Sequence, residues 1–472
     1  MIKILKLREE IIDEAIRLSD ITEDTIVDDI QANIAFNLYM NLYDKPDFIN
    51  GHQSIRPPII DDENYQPMSV ELFREPQRII YLRRWILELL PIIDLFSQVG
   101  KLPLTRQDDE DDDFKAYLQS IFSNYVSMLE QIHSSVPPEY NVITNKDLDH
   151  VRNLCMKICD SVQEYYRGFP SRAFSELGIG LINNVSIPGH FHNMTKLPNF
   201  LDEKFYKMRV GTDHPFSSND MFHIPLQLRG IVSTNRYSIP GLPCVYLGSS
   251  PLTCWEELNK PDLNTIQTSL FVSKSLNYLD LSMHPVVFIE NLLRRFRDYG
   301  TLKKKRIFDE VDEVDKVISY IVTWPLMAAC SIRVKNTKDT FKPEYIIPQL
   351  LLQFIRQPGF VDGISYFSTK VDNYSAETAE LYKNFAFPVQ EVQNKGLCPK
   401  LRSKFEVTDA VPWNMFQLYN GSHYCASNEG EKRVKHEFIN GMSLLYSSTD
   451  FSKLETFLHN KFATEKSKQL QE

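Results

Sequence analysis

A chain of 472 residues has room for two or three domains and a sizeable core, and 43% hydrophobic with 24% charged residues is the balance of a soluble globular protein. Its net charge of −10 argues against a mainly electrostatic nucleic-acid binder, although a pocket can still be locally basic. Arg, Glu or Asp interrupts every apolar run before membrane-spanning length, so no membrane partner is expected. The first ten residues, MIKILKLREE, carry charges where a signal peptide needs an apolar core. Seven cysteines are an odd count without paired spacing, which reads as reduced core thiols in a cytoplasm.

Residues 1–44 read as two helices, the second on Ile26, Ile30, Ile34, Leu38 and Leu42, which recur every four positions. A proline-rich loop follows. Residues 77–98 are helical, bent or broken at Pro91. The run Asp108–Asp113 reads as a solvated linker or as the acidic approach to the next helix. Residues 114–134 and 147–168 are two more helices. The second carries a stripe of Leu148, Val151, Cys155, Ile158, Cys159 and Val162. Residues 1–185 are thus expected to form an α-helical domain of unknown role.

The character changes near Asn183. His190 and His192 stand at strand spacing, but no Cys or carboxylate is spaced in sequence to complete a metal site, so a structural role is expected and no metal. From 200 to 390, short β-like runs alternate with helices: Val286–Ile289, Tyr345 to Arg356 and Gly363–Phe367. Between them lies a charged helical insertion with Arg294-Arg295 and Lys303–Arg306. The chain closes with an extension, 396–472, that carries Tyr446 and a helix, Phe451–Phe462, fraying from Glu465.

The stretch Leu226–Leu258 is the most informative. Arg229 and Arg236 precede an apolar strand, Pro243–Leu247, on which Cys244 and Tyr246 share one face and Val245 and Leu247 the other. Ser250-Pro251 then starts a helix, with Ser as cap and Pro in the first turn. Pro251, Cys254, Trp255 and Leu258 are its apolar stripe. Glu257 lies nearer that stripe than Glu256, so Glu257 can enter a pocket while Glu256 points mostly to solvent.

These residues carry a resemblance. Arg236, Gly241 and Tyr246-Leu-Gly-Ser-Ser-Pro-Leu-Thr-Cys-Trp-Glu-Glu257 together resemble the core of the RES domain, named for its Arg, Glu and Ser. Upstream, Phe205-Tyr206-Lys207-Met208-Arg209 is similar to the segment that opens such domains. Downstream, Tyr345-Ile-Ile-Pro-Gln349 and Asp362–Ser368 are similar to the stretch ending in the family serine. The resemblance spans roughly 200–390, and the boundaries expected are a RES-like catalytic domain over 186–395. It implies an α+β protein, with an N-terminal helical domain followed by a fold like that of ADP-ribosyltransferases. It also implies a toxin that destroys NAD by hydrolysis or phosphorolysis, so the implied partners are NAD as substrate, inorganic phosphate and an antitoxin protein, with no cofactor. Two features depart from the small toxins: the gap from Glu257 to Ser368 is long, and so is the N-terminal half.

The chemistry fits the residue types. Cleaving the nicotinamide–ribose bond builds an oxocarbenium-like transition state, which a carboxylate such as Glu257 stabilises. A pyrophosphate calls for arginine forks, with Arg209 and Arg236 the candidates. Tyr246 or Tyr237 would wall the nicotinamide ring. Ser368 would hydrogen-bond ribose or phosphate, and Gln349, just before a helix expected over Leu350–Arg356, would line the rim. Two alternatives stand beside this reading. One is an ADP-ribosyltransferase acting on a macromolecule, disfavoured because the adjacent glutamates diverge on a helix. The other is a non-catalytic interaction protein. The acidic run at 108–113 and the basic run at 303–306 would let the helical half dock over the site, or the two halves are merely linked.

Overall fold

A computed structural model describes residues 9–42, 69–99, 101–106, 113–182, 190, 193–196, 202–273, 275–298, 311–357, 361–372, 374–375, 377–391, 393–419, 434–439 and 442–469. Most of the acidic run, His192, Lys303–Arg306 and Cys425 lie outside the described residues. The fold is α+β. It comprises two compact units that interleave in sequence: residues 1–163, 175–193 and 284–328 make one, and 164–174, 194–283 and 329–472 make the other.

The first unit is helical. Helix α1 spans Glu9–Arg17 and α2 spans Asp29–Asn41. A capping box starts α2: Asp28 Oδ1 accepts from Gln31 N–H, and Gln31 Oε1 accepts from Asp28 N–H. The buried side of α2 is Ala32, Ala35, Leu38 and Tyr39, not the expected isoleucines: Ile26 is 95% and Ile30 71% exposed. A spacing of four advances about 400°, so a long series of such steps drifts off one face, and Ile26 precedes the helix altogether. Helices α3 (Pro76–Arg84) and α4 (Leu90–Val99) flank one wide turn, Trp85–Leu89, where Leu90 N–H reaches back to Trp85 O. That turn lies just ahead of Pro91, whose ring would clash with the carbonyl four residues back in a regular helix.

Helix α5 (Phe114–Ser135) is capped by Asp113, the one member of the acidic run described. Helix α6 runs Asn145–Tyr166, and every residue of its expected stripe is buried. Helix α7 is Pro170–Ile182. The element containing Val286–Ile289 is a helix, α8 (Pro285–Asp298), not a strand. Its β-branched pair lies in the first turn, and Phe288 beside it packs against the Phe96 and Tyr320 rings, burial that outweighs strand propensity. Helix α9 (Val311–Cys330) contains Pro325, which removes the N–H that Ile321 O would accept; Tyr125 Oη–H donates to that carbonyl instead, at 2.8 Å. Most of the charged insertion therefore belongs to the helical unit. Among the described residues no helix is long and apolar enough to cross a membrane.

The second unit is built on a mixed nine-stranded sheet. Its strands are β1 (Thr195–Lys196), β2 (Glu203–Val210), β3 (Cys244–Gly248), β4 (Ile266–Ser273), β5 (Tyr278–Leu281), β6 (Gly363–Phe367), β7 (Lys383–Pro388), β8 (Glu406–Val407) and β9 (Val411–Pro412). Their order is β1-β5-β6-β7-β3-β2-β4-β8, with β9 also on β4; β5 and β6 are parallel and the other pairs antiparallel. Alternation sends Phe205, Val245, Leu247, Phe271, Phe385 and Phe387 into one aromatic-rich core. The helix over β3 is α10 (Pro251–Glu257), and Ile346–Ile355 forms helix α11, which begins a turn earlier than the helix expected over Leu350–Arg356. An apolar run of that length is equally a buried helix, and nine of its ten residues are buried. Helices α12 (Pro399–Arg402), α13 (Trp413–Tyr419) and α14 (Asp450–Gln469) follow. A separate hairpin joins β10 (Lys435–Ile439) to β11 (Met442–Leu445). Helix α14 stays helical past Glu465 and packs Phe451 on Trp255 of α10, and β8 pairs with β4, so these described parts of the chain beyond 396 belong to this unit.

Candidate functional site

The centre of the second unit is a cleft of about 600 Å³ lined from β2, β3, β6, β7, α10 and the loops at 235–236 and 333–345. Its position follows from Gly248. The register aligns Gly248 with Tyr206 on one side and Asn384 on the other, and Asn384 with Tyr366 beyond. A Cβ at Gly248 would lie 2.8 Å from Cys254 Sγ and 3.2 Å from Ser250 O. The missing side chain lets α10 settle directly on the sheet. Ser250 begins that helix by accepting from Thr253 N–H, and Ser249, Ser250 and Thr253 all donate hydroxyl protons to Leu381 O. Two turns later the helix delivers Glu257 over β7.

There the carboxylate is fixed. Glu257 Oε1 accepts from Ser368 Oγ–H at 2.6 Å and from Asn384 Nδ2–H at 2.7 Å. Both bonds fall on one oxygen, and Oε2 has no hydrogen-bond partner among the described residues. Lys370 Nζ donates to Glu257 O and to Asn259 Oδ1. Ser368 is itself fully buried: its N–H bonds Tyr382 O at 2.8 Å, its carbonyl takes the Tyr374 hydroxyl at 2.6 Å, and its Oγ accepts from Lys370 N–H. Its single hydroxyl proton goes to Glu257 rather than out into the cleft. Glu256 is less exposed than its helix position suggests, with 12% of its side chain accessible; it pairs with Lys260 at 3.2 Å and does not line the cleft.

Arg236 faces the same cleft from a tight turn closed by bonds between Asn235 and Ser238. Gln349 of α11 holds that turn, its Nε2 donating to Asn235 O and Ser238 O. The guanidinium donates to Cys330 O at 3.0 Å and Thr369 Oγ1 at 3.3 Å, and lies 5.3 Å from the Tyr345 ring centre. Tyr246 lines the cleft, and burial pushes its phenol pKa well above the ordinary value, so the ring stays neutral. Tyr366 is also held high, first by burial and then by the Glu257 charge. Glu257 is the one carboxylate among the described lining residues, against five basic side chains: Lys207, Arg236, Arg333, Lys342 and Lys370. A chain of net charge −10 therefore carries a locally positive cleft.

Three expected site residues lie elsewhere. Arg209 is exposed, donates to Asp220 O, stacks 4.5 Å from the Phe216 ring centre, and lines a second cleft of about 600 Å³. Tyr237 is fully buried against Tyr366, and Gln349 braces the Arg236 turn; neither lines the Glu257 cleft. Among the lining residues that were not singled out from the sequence are Asn384, Lys207, Tyr366 and Lys370. Asn384 had a signal, as an amide in the otherwise aromatic run Lys383–Pro388. Lys207 borders both clefts, with its ammonium donating to Phe222 O at 2.7 Å; burial, and then Arg209, lower its pKa to about 7.

A Bacillus subtilis (strain 168) protein named "Putative toxin YopC" is 32% identical to the chain over 442 residues, which are 92% of this chain and 93% of that protein. The chain belongs to the YopC family. The shared span reaches across both units. No family model matches the chain, and no solved structure matches it.

Proposed function

We propose that the chain is a toxin whose RES-type domain consumes NAD, cleaving the bond between nicotinamide and ribose. The observation that carries this reading is Glu257: a single carboxylate, pinned at Oε1 by Ser368 and Asn384, in a cleft whose described lining also includes basic side chains and tyrosines. A dinucleotide with a pyrophosphate and a cationic aromatic ring suits that lining. Arg236 takes pyrophosphate oxygens, assisted by the neighbouring lysines. Tyr246 or Tyr366 offers a neutral ring to the nicotinamide.

As the glycosidic bond breaks, positive charge grows on the ribose and the departing nicotinamide becomes neutral. Glu257 Oε2 faces that charge, while the two donors on Oε1 hold the carboxylate in place. Water or inorganic phosphate then adds to the same carbon from solution. The name of the Bacillus relative supports the toxin role. A protein that destroys NAD must be restrained in its own cell, so an antitoxin protein is the expected partner.

The test is to incubate the purified full chain with NAD, with and without phosphate, and to follow nicotinamide release. Release giving ADP-ribose in water, or its phosphorylated form in phosphate, is the expected result. No release at any protein concentration overturns the enzymatic reading. ADP-ribose found covalently on protein by mass spectrometry would make the chain a transferase instead.

A further inference from the structure

We infer that the helical unit holds a divalent metal site of the zinc type, formed by Asp147, His150 and His190. One ligand atom from each of the three lies within 4.8 Å of the other two. Asp147 and His150 sit one turn apart on α6, and His190 comes from a segment that the sequence alone does not bring near.

The hydrogen bonding around His190 and Asp147 leaves lone pairs available on both, and His150 adds a buried ring nitrogen without a partner. Ser319 Oγ–H donates to Asp315 O, so toward His190 Nδ1, 2.9 Å away, that oxygen can only accept. The His190 proton is thereby set on Nδ1, and Nε2 presents a lone pair. Nε2 is buried and meets no partner. His150 is 6% exposed, and its Nδ1 is likewise buried without a partner. The rings meet edge to face with centres 6.0 Å apart, and no hydrogen bond joins them. Asp147 is oriented by the capping box of α6: its Oδ2 accepts from Thr144 N–H at 2.9 Å and from Thr144 Oγ–H at 2.6 Å. A carboxylate retains further lone pairs beyond those two bonds.

Two orphaned imidazole nitrogens and a braced carboxylate form a ligand set that suits Zn²⁺, with hydrogen bonds behind two of the three ligands fixing their orientation. A zinc ion with Zn–N and Zn–O near ~2.1 Å would draw the three atoms together by roughly 1 Å, and a fourth position would be left for water. Such an ion would tie the His190 segment to α6.

The test uses the tag-free full chain, stripped with chelator and then exposed to Zn²⁺. Bound zinc is measured after desalting, and affinity by competition with a chromophoric chelator. One equivalent of zinc is expected, with Co²⁺ giving a visible ligand-field band. His190→Gln and His150→Gln should each lose that equivalent. Ser319→Ala keeps all three ligands and should weaken affinity by about 10–100-fold. His190 is only half-buried, so His190→Gln carries the test if His150→Gln fails to fold by circular dichroism. No stoichiometric uptake by the wild-type chain, as a water-bridged cluster would give, overturns the proposal. So does a full equivalent retained by the folded His190→Gln chain.

Discussion

The sheet unit carries two clefts of nearly the same size, each about 600 Å³, and they share Lys207, Asn235 and Tyr246 along their common border. Volume does not distinguish them; the fixing of charge does. In one, Glu257 is held by two donors, and Arg236 is clamped by Cys330 O, Thr369 and the Tyr345 ring. In the other, Arg209 is spent on Asp220 O and the Phe216 face, and Asp220 is occupied by Ser217, whose hydrogen bonds lower the Asp220 pKa. Its His223 is turned to the Ile224 carbonyl and to Cys398 N–H. Polar groups already satisfied by their neighbours close a surface, whereas a braced group with a vacant lone pair is prepared for a ligand.

The sharpest way to break that comparison is Glu257→Gln. It preserves volume and removes the charge that opposes the growing oxocarbenium, so kcat for NAD cleavage should fall by about 10²–10⁴-fold with the fold intact. Glu256→Gln removes a partner of the exposed Lys260 outside the cleft and should leave kcat within about twofold, since a pair with an exposed lysine contributes little. Steady-state kinetics on both variants, with far-UV circular dichroism, checks this; the reverse outcome would reassign the acid. Ser368→Ala comes next. Losing one hydrogen bond to a charged group costs about 1.5–3 kcal/mol, which predicts roughly 10–100-fold in kcat if the bond matters mainly in the transition state. Ser368→Thr should restore part of that loss, because it returns the hydroxyl. Arg236→Lys keeps charge but not the fork that spans Cys330 O and Thr369. KM for NAD should rise about tenfold, whereas near-normal kinetics would leave Arg236 a purely structural clamp.

How much of this was readable beforehand depended on how local each signal was. The cap at Ser250, the β3 alternation and the α6 stripe are short-range patterns, and each appears in the structure where periodicity put it. Val286–Ile289 is a short apolar run whose period is ambiguous, and tertiary burial made it helical; the helix read over Leu350–Arg356 is present and begins a turn earlier, at Ile346. Glu257 could be placed toward a pocket from its helix angle, but its partners could not: Ser368 and Asn384 are 111 and 127 positions away and meet it only through the sheet order. Arg209 and Lys207 alternate onto one side of β2, so spacing alone did not say which of the two borders the Glu257 cleft.

Lys207 supplies the smallest effect and the finest discrimination, because it borders both clefts. Its folded pKa is lowered from 10.5 to about 7, chiefly by burial and further by Arg209. The lysine is therefore protonated below pH 7 and loses its charge as pH rises through 7, while the unfolded chain stays protonated until about 10.4. Between those values the unfolded state binds more protons, so this residue makes the protein more stable as pH rises across that window, and its burial penalty is fully felt below it. Activity should run the other way. If the ammonium helps to bind the pyrophosphate in the Glu257 cleft, KM for NAD should rise a few-fold as pH passes upward through 7. A bound anion, by favouring the charged form, should move that midpoint to higher pH in the complex. Lys207→Arg should remove the inflection, since a guanidinium keeps its charge. Arg209→Ala deletes the neighbouring cation that pushes the lysine pKa down. It should shift the inflection upward while leaving kcat at its optimum within about twofold. Profiles of kcat/KM against pH for the wild type and these two variants decide the matter. An inflection near 7 that survives Lys207→Arg would return Lys207 to a structural tie with Phe222 O and assign the titration to another group.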